Sequence, residues 1–144
     1  MHSDAARTPL ATVMTGDVIC VRPGLAIDTL AALFIDRGIA GAPVVDETGR
    51  AIGVVSKSDL VQAALEREEG TVADIMMPIA FTLPETASLS HAAALMAFEG
   101  VHRLPVVASD GTIVGIVSAM DVVRWVAECD GSVMPPLRAA FEQE

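Results

Sequence analysis

The sequence predicts an α/β protein made of two β-α-β-β-α repeats that pack together as a pseudo-two-fold pair. Three observations carry this prediction. The chain matches itself without a gap when it is shifted by 62 residues, and both halves show the same order of short apolar runs and helically spaced apolar positions. In addition, 52% of the residues are hydrophobic, although no apolar stretch approaches the roughly 20 residues that cross a bilayer. The chain is therefore expected to be soluble and to bury a core.

The internal repeat defines the predicted organisation. Matched positions include helix-ending and turn glycines, strand valines and a polar Ser/Asp pair, which have separate structural roles. They include Met14 with Met76, Gly38 with Gly100, Pro43 with Pro105, Gly53 with Gly115, and Asp59 with Asp121. We therefore predict an N-terminal tail over 1–11, a first repeat over 12–70, a second repeat over 71–130 and a C-terminal tail over 131–144.

The first repeat is predicted to begin with a strand and a helix. Residues 18–21 form a short apolar run that ends before Pro23-Gly24, which cannot continue a β-ladder. A helix follows, because apolar residues recur at helical spacing from Ile27 to Ile35 and Gly38 supplies the left-handed stop. In the second repeat the same pattern predicts a strand over 80–83 and a helix over 89–99.

A hairpin and a second helix complete each repeat. Runs 42–45 and 51–55 flank a polar turn with a glycine, and Ser56 to Asp59 then opens a helix. The pattern predicts that this helix turns Leu60, Val61, Ala64 and Leu65 inward. Its counterparts in the second repeat are strands over 104–107 and 113–117 and a helix over 119–128.

Charge and cysteine content exclude several classes of protein. The net charge is −10, from 19 acidic and 9 basic residues, so binding to the phosphate backbone of nucleic acid is unlikely. Cys20 and Cys129 are far apart in apolar contexts, which favours buried, reduced thiols over a disulfide or a metal site. Because the first residues lack an apolar signal segment, we expect a cytoplasmic location.

One ordered motif set carries a family resemblance. The pattern Gly-hydrophobic-Val-Ser-x-x-Asp occurs at 53–59 and again at 115–121, each time after a Gly-x-x-x-x-Pro-Val-Val segment. With the methionines at the unit starts, residues 12–130 resemble a pair of cystathionine-β-synthase (CBS) domains, or Bateman module. The resemblance implies regulatory binding of AMP, ADP, ATP or S-adenosylmethionine between the repeats. It also implies that two pairs associate as a disk-like homodimer.

The two clefts implied by this resemblance are expected to differ. His102-Arg103 precedes Leu-Pro and is similar to a segment that reaches nucleotide phosphate in family members, whereas the matching first-half residues are Ala40 and Gly41. By the resemblance, His102 and Arg103 complement the ribose-binding positions Ser56 and Asp59. The full set of candidate nucleotide-binding residues is Ser56, Asp59, His102, Arg103, Ser118, Asp121, Lys57, Ile19, Ala40, Pro43, Phe81 and Pro105, and Ala80 lies beside them.

Simpler structural roles remain open for these residues. Ser56 and Asp59 have the spacing of a capping box, His102-Arg103 could be an exposed strand edge, and Lys57 and Arg124 suit solvated helix positions. The methionines and Trp125 suit packing. We find no catalytic constellation and no metal or cofactor motif, so the sequence predicts a non-enzymatic regulator that acts on an unknown effector protein. The alternatives are a scaffold without ligand and a binder of S-adenosylmethionine.

Overall fold

The computed structural model describes residues 2–78 and 81–130, and it confirms an α/β fold. The first half contains two helices and a hairpin in the predicted order, preceded by a short helix and a 3-10 turn. Its elements are α1 (His2–Arg7), the 3-10 turn Leu10–Thr12, α2 (Ile27–Arg37), β1 (Gly41–Val45), β2 (Ala51–Ser56) and α3 (Lys57–Leu65).

The second half repeats this order after a short helix and strand. Its elements are α4 (Val72–Ile75), β3 (Met77–Pro78), β4 (Leu83–Pro84), α5 (Leu89–Glu99), β5 (Arg103–Val107), β6 (Ile113–Ser118) and α6 (Ala119–Asp130). As predicted, α2 ends at a left-handed glycine, Gly38, and α5 ends in the same way at Gly100. Helices α2 and α5 therefore begin and end at equivalent positions, whereas α3 and α6 share only an equivalent start.

The two hairpins superimpose in register as well as in sequence. Gly41 lies opposite Ser56 on β1 and β2, and the equivalent Arg103 lies opposite Ser118 on β5 and β6. Within the first turn, the hydroxyl of Thr48 and the N–H of Arg50 donate to Asp46, so the pKa of the Asp46 carboxyl is below its ordinary value. Both hairpins therefore end in well-defined polar turns.

Each sheet is completed by the segment that precedes the other repeat. Strand β3, at the start of the second repeat, pairs with β2 of the first, and Thr15, at the start of the first, bridges to Ile116 of the second. The 3-10 turn inserts Leu10, which is fully buried, into the core of the second repeat, and α4 places Val72 in the core of the first. The two repeats therefore share their cores and form one body.

The predicted first strand is wrong for most of its length. In residues 18–21 only Val21 pairs with the sheet, through a single parallel bridge to Val44. The Val21 N–H donates to the carbonyl of Pro43 at 3.0 Å and the Val45 N–H donates to the carbonyl of Val21 at 2.9 Å, so this bridge is complete. Pro43 has no N–H to donate to the preceding part of the segment, so the ladder does not extend toward residue 18. In the second repeat residues 81–82 are not in a strand and the described pairing begins at Leu83, while residue 80 lies outside the described residues.

The predicted inward face of α3 is also wrong. Leu60 is half-buried, but Val61 is 60% exposed and Leu65 is 76% exposed. Of this helix only Ala63 is buried, so the helix packs against the rest of the repeat through one narrow face. The apolar positions on the other side face solvent.

Both cysteines are free, but the expectation that they are buried is wrong. Cys20 lies in the unpaired segment before Val21, and Cys129 lies near the end of α6, so both are exposed. Neighbouring atoms nevertheless desolvate the Cys20 thiol enough to raise its pKa. Within residues 2–78 and 81–130, no helix has the length and apolar character needed to cross a membrane.

Candidate functional site

A small cleft at the junction of the two repeats brings together four of the predicted residues. Its first-repeat wall includes Ser56 and Asp59, and its second-repeat wall includes His102 and Arg103. Val54, Met77 and Val101 line the rest of this space of about 50 Å³, which we call the first cleft. Residues far apart in sequence therefore meet in the arrangement that the family resemblance implies.

Ser56 and Asp59 form a complete capping box at the start of α3. The Asp59 Oδ2 accepts hydrogen bonds from the Ser56 N–H at 2.8 Å and from its hydroxyl at 3.0 Å, while the Asp59 N–H donates to Ser56 Oγ at 3.4 Å. The Asp59 Oδ1 accepts no hydrogen bond from the described part of the chain. Capping and ligand binding are therefore compatible, because they use different oxygens of one carboxylate.

Arg103 crosses the repeat junction to lie against Gly41. A Cβ placed on Gly41 would be 2.5 Å from Nε and 2.7 Å from Cδ of Arg103, so a larger residue at position 41 would require this side chain to move. Among the described residues Arg103 forms no ion pair, although the protein is strongly acidic. The sequence indicated Gly41 only as the repeat counterpart of Arg103; its steric role depends on the approach of the two strands.

The equivalent site in the second repeat has a different carboxylate environment. Ser118 and Asp121 cap α6 with the same reciprocal bonds, at 2.8 and 3.1 Å. Asp121 is only 8% exposed, and its Oδ1 accepts a hydrogen bond from Arg124 Nη1 at 3.1 Å. Arg124 is exposed, as expected for a solvated helix position, but it also forms this ion pair with Asp121. The repeat places Ala40 and Gly41, without a cation of their own, opposite this pair.

The remaining candidate residues do not line the first cleft. Pro43 and Pro105 are fully buried in the sheets, and Phe81 packs against the core of the second repeat. Ile19 is half-buried in the unpaired segment, and the exposed Ala40 accepts a hydrogen bond through its carbonyl from the Lys57 N–H at 3.0 Å. Ala80 and the tail over 131–144 lie outside the described residues.

Two apolar grooves run between the paired helices on the outside of the repeats. The groove between α2 and α3 has a volume of about 340 Å³ and includes the side chain of Lys57. The groove between α5 and α6 has a volume of about 360 Å³ and is bordered by Met96 and Val122. Val101 and His102 line both this second groove and the first cleft, so one short segment separates the two spaces.

Comparison with known proteins assigns the family. The family model described as "CBS domain" matches residues 10–66 and again residues 72–128. The chain belongs to the CBS-domain family. Inosine-5'-monophosphate dehydrogenase of Thermoplasma acidophilum is 30% identical over 112 residues, which are 78% of this chain and 22% of that enzyme. Three further curated relatives are covered over 43% to 63% of their length, so this CBS pair is shorter than all four of them.

Solved structures of CBS-domain pairs share the architecture. The CBS pair of protein MJ0100, in complex with 5'-methylthioadenosine and S-adenosylmethionine, superimposes with a TM-score of 0.77 and 26% identity over 84% of this chain and 97% of that one. CBSX2 of Arabidopsis thaliana in complex with AMP gives a TM-score of 0.71 and 27% identity, with coverages of 85% and 98%. Both of these CBS pairs therefore bind adenosine derivatives.

Proposed function

We propose that this CBS-domain protein is a non-catalytic regulator that binds an adenine nucleotide in the first cleft. The convergence of Ser56, Asp59, His102 and Arg103 from two repeats is the observation that supports the proposal most strongly. The AMP complex of CBSX2 makes AMP the first ligand to test. A cytoplasmic location remains part of the proposal.

Each of these residues suits one part of the ligand. The free Oδ1 of Asp59 can accept hydrogen bonds from a ribose diol, and the N-terminal end of α3 favours polar or anionic groups. Arg103 offers a planar set of N–H donors to phosphate oxygens, and His102 adds another donor. Ribose would therefore be held by the first repeat and phosphate by the second.

Binding requires the first cleft to open. Its volume of about 50 Å³ is far below the roughly 300 Å³ at which pockets for small organic ligands begin. The side chains of Met77 and Arg103 border the space and are long enough to swing out of it. The proposal therefore includes a ligand-induced rearrangement at the junction of the two repeats.

The same rearrangement offers a route to a partner. Val101 and His102 separate the first cleft from the apolar groove between α5 and α6, so a ligand that moves this segment changes the shape of the groove. The outer helices expose a set of large apolar side chains that includes Ile35, Val61, Leu65, Phe98, Met120 and Val123. We propose that this face forms a homodimer and that nucleotide binding alters what the dimer presents to an effector protein.

Differential thermal denaturation tests the ligand assignment. AMP, ADP, ATP and S-adenosylmethionine are each added at about one hundred times a micromolar dissociation constant, and a ligand bound only by the folded state stabilises it by about 2.7 kcal/mol. We expect a rise in melting temperature with at least one phosphorylated adenosine and intact ligand by chromatography afterwards. A response to S-adenosylmethionine alone would favour the type of ligand seen with MJ0100. No response to any of them would leave the scaffold alternative.

A further inference from the structure

The capping boxes of α3 and α6 are equivalent, but one residue beyond each box differs. Gln62 follows Asp59 by three residues, and Arg124 follows Asp121 by the same spacing. The Gln62 amide donates to Glu66 Oε1 at 2.6 Å and forms no hydrogen bond with Asp59. Arg124 instead donates to Asp121 Oδ1 at 3.1 Å. The repeat therefore places a neutral side chain beside one carboxylate and a cation beside the other.

This difference decides which carboxylate oxygens are available. Both oxygens of Asp121 are engaged, Oδ2 by the Ser118 N–H and Oδ1 by Arg124, and the side chain is 9% exposed. Asp59 engages only Oδ2 in the described structure and lines the first cleft. Each carboxylate oxygen can accept two hydrogen bonds, so a ribose diol can bind the unoccupied Oδ1 of Asp59 directly, whereas at Asp121 it must compete with Arg124 for Oδ1.

Arg124 pairs with Asp121 although its own helix offers a second acidic partner. Arg124 has Glu128 four residues ahead, just as Gln62 has Glu66, and this spacing suits an ion pair along a helix. Arg124 nevertheless turns back to Asp121. The backbone beside Asp121 is paired like that of the first cleft, since Thr15 bridges to Ile116 as Met77 pairs with Val54. The second cleft thus retains the framework of a ligand site.

We propose that Arg124 is an internal lock that closes a latent nucleoside site at Ser118 and Asp121. This inference rests on the proposed function, because it assumes that the Ser/Asp pair binds ribose. The repeat gives this site Ala40 and Gly41, which carry no charge of their own, in place of His102 and Arg103, so adenosine is the probe for it, because binding of adenosine does not depend on a cation. Arg124 is 60% exposed, so its removal leaves the cap of α6 and the core in place.

Exchanging the two residues tests the lock in both directions. Arg124→Gln removes the cation from the second repeat, and Gln62→Arg installs it beside Asp59, with Glu66 in the position that Glu128 holds in the second repeat. In calorimetric titrations with adenosine, we expect one site per chain in the wild-type protein and two in Arg124→Gln. We expect Gln62→Arg to bind adenosine about tenfold or more weakly, because a hydrogen bond to a charged group is lost. Amide chemical shifts of Ser118 and Asp121 should respond to adenosine only in Arg124→Gln.

The outcomes separate this inference from the proposed function. One site in both the wild-type protein and Arg124→Gln, with no response at Asp121, would overturn the lock while the first cleft stands. Two sites in the wild-type protein, or unchanged affinity in Gln62→Arg, would also overturn it. If neither the wild-type protein nor Arg124→Gln binds adenosine or AMP while both melt cooperatively, the proposed function fails and the lock fails with it.

Discussion

At the scale of single residues, the two clefts differ through side chains that surround an unchanged Ser/Asp pair. Both aspartates cap a helix, but Asp59 faces Arg103 across a cleft, whereas Asp121 is neutralised by Arg124 on its own helix. Gly41 belongs to the first arrangement, because it leaves space for the Arg103 side chain. The chemistry of each cleft therefore depends on the neighbours of the motif more than on the motif itself.

Substitutions on either side of the first cleft should weaken nucleotide binding. Arg103→Ala removes hydrogen bonds to a charged phosphate, and Asp59→Ala removes those to ribose; each should raise the Kd for AMP about tenfold or more. Asp121→Ala should change the Kd much less. Calorimetric titration of AMP measures all three.

The stability of these variants must be measured alongside their affinity. Asp59→Ala also removes a helix cap, which lowers the free energy of unfolding by about 1 kcal/mol, whereas Arg103 has no capping role. Titrations should therefore be made well below each melting temperature. Wild-type affinity in Arg103→Ala, together with loss of binding in Asp121→Ala, would place the phosphate in the other cleft.

At the scale of secondary-structure elements, the stability of the fold depends on the segments exchanged between the repeats. Met76 packs over Gly53 on β2, and Met14 packs over Gly115 on β6. In both places the backbone of the exchanged segment also passes close by, since a Cβ on Gly53 would be 2.9 Å from the Met77 carbonyl oxygen. Each glycine therefore permits close packing between one repeat and the segment that precedes the other repeat.

Adding one methyl group at either glycine should loosen this exchange. Gly53→Ala or Gly115→Ala forces the paired backbone outward and should lower the free energy of unfolding by about 1–3 kcal/mol, as overpacking does in other cores. Gly16→Ala is a matched control, because no atom lies within 4 Å of a Cβ placed there. Urea denaturation followed by circular dichroism measures the three variants. Equal stability of Gly53→Ala and Gly16→Ala would show that the exchanged segment yields without strain.

At the scale of the whole molecule, large apolar side chains on α2, α3, α5 and α6 are exposed to solvent in the single chain. Ile35 and Phe98, for example, are 80% and 88% exposed. Side chains of this kind concentrated on one set of outer helices indicate a contact surface, because a monomer gains nothing from exposing them. A closed two-fold association would bury the same surface on both copies.

The proposed homodimer makes a direct prediction about mass. Light scattering should give about 30 kDa at micromolar concentration, twice the chain's 15.0 kDa. The double variant Val61→Asp with Val123→Asp should give a monomer, because each charge would be buried without a partner in the dimer. Both side chains are at least half exposed in the single chain, so the two substitutions should leave the fold of each chain intact. Any fall in melting temperature should therefore come from the loss of the dimer. A wild-type mass near 15 kDa at high concentration would contradict the dimer.

The sequence by itself determined the repeat and the order of its main helices and hairpins, and the family resemblance implied the residues that the clefts could use. These features follow from local rules: glycines that end helices and turns, reciprocal Ser/Asp caps, and prolines and valines that recur at one offset. The reciprocal caps at Ser56 and Ser118 show how closely local spacing anticipates geometry. They also explain why a cap and a ligand site share one motif.

Only the tertiary structure decided how these pieces meet. It sends Leu10 and Val72 into the core of the opposite repeat, limits the predicted strand at 18–21 to the single bridge of Val21, and turns Arg124 onto Asp121. None of these follows from local spacing, because each depends on which surface a segment meets in space. Pairing and burial are set by long-range contacts. An apolar run or a helical arginine has several possible partners that the local sequence does not distinguish.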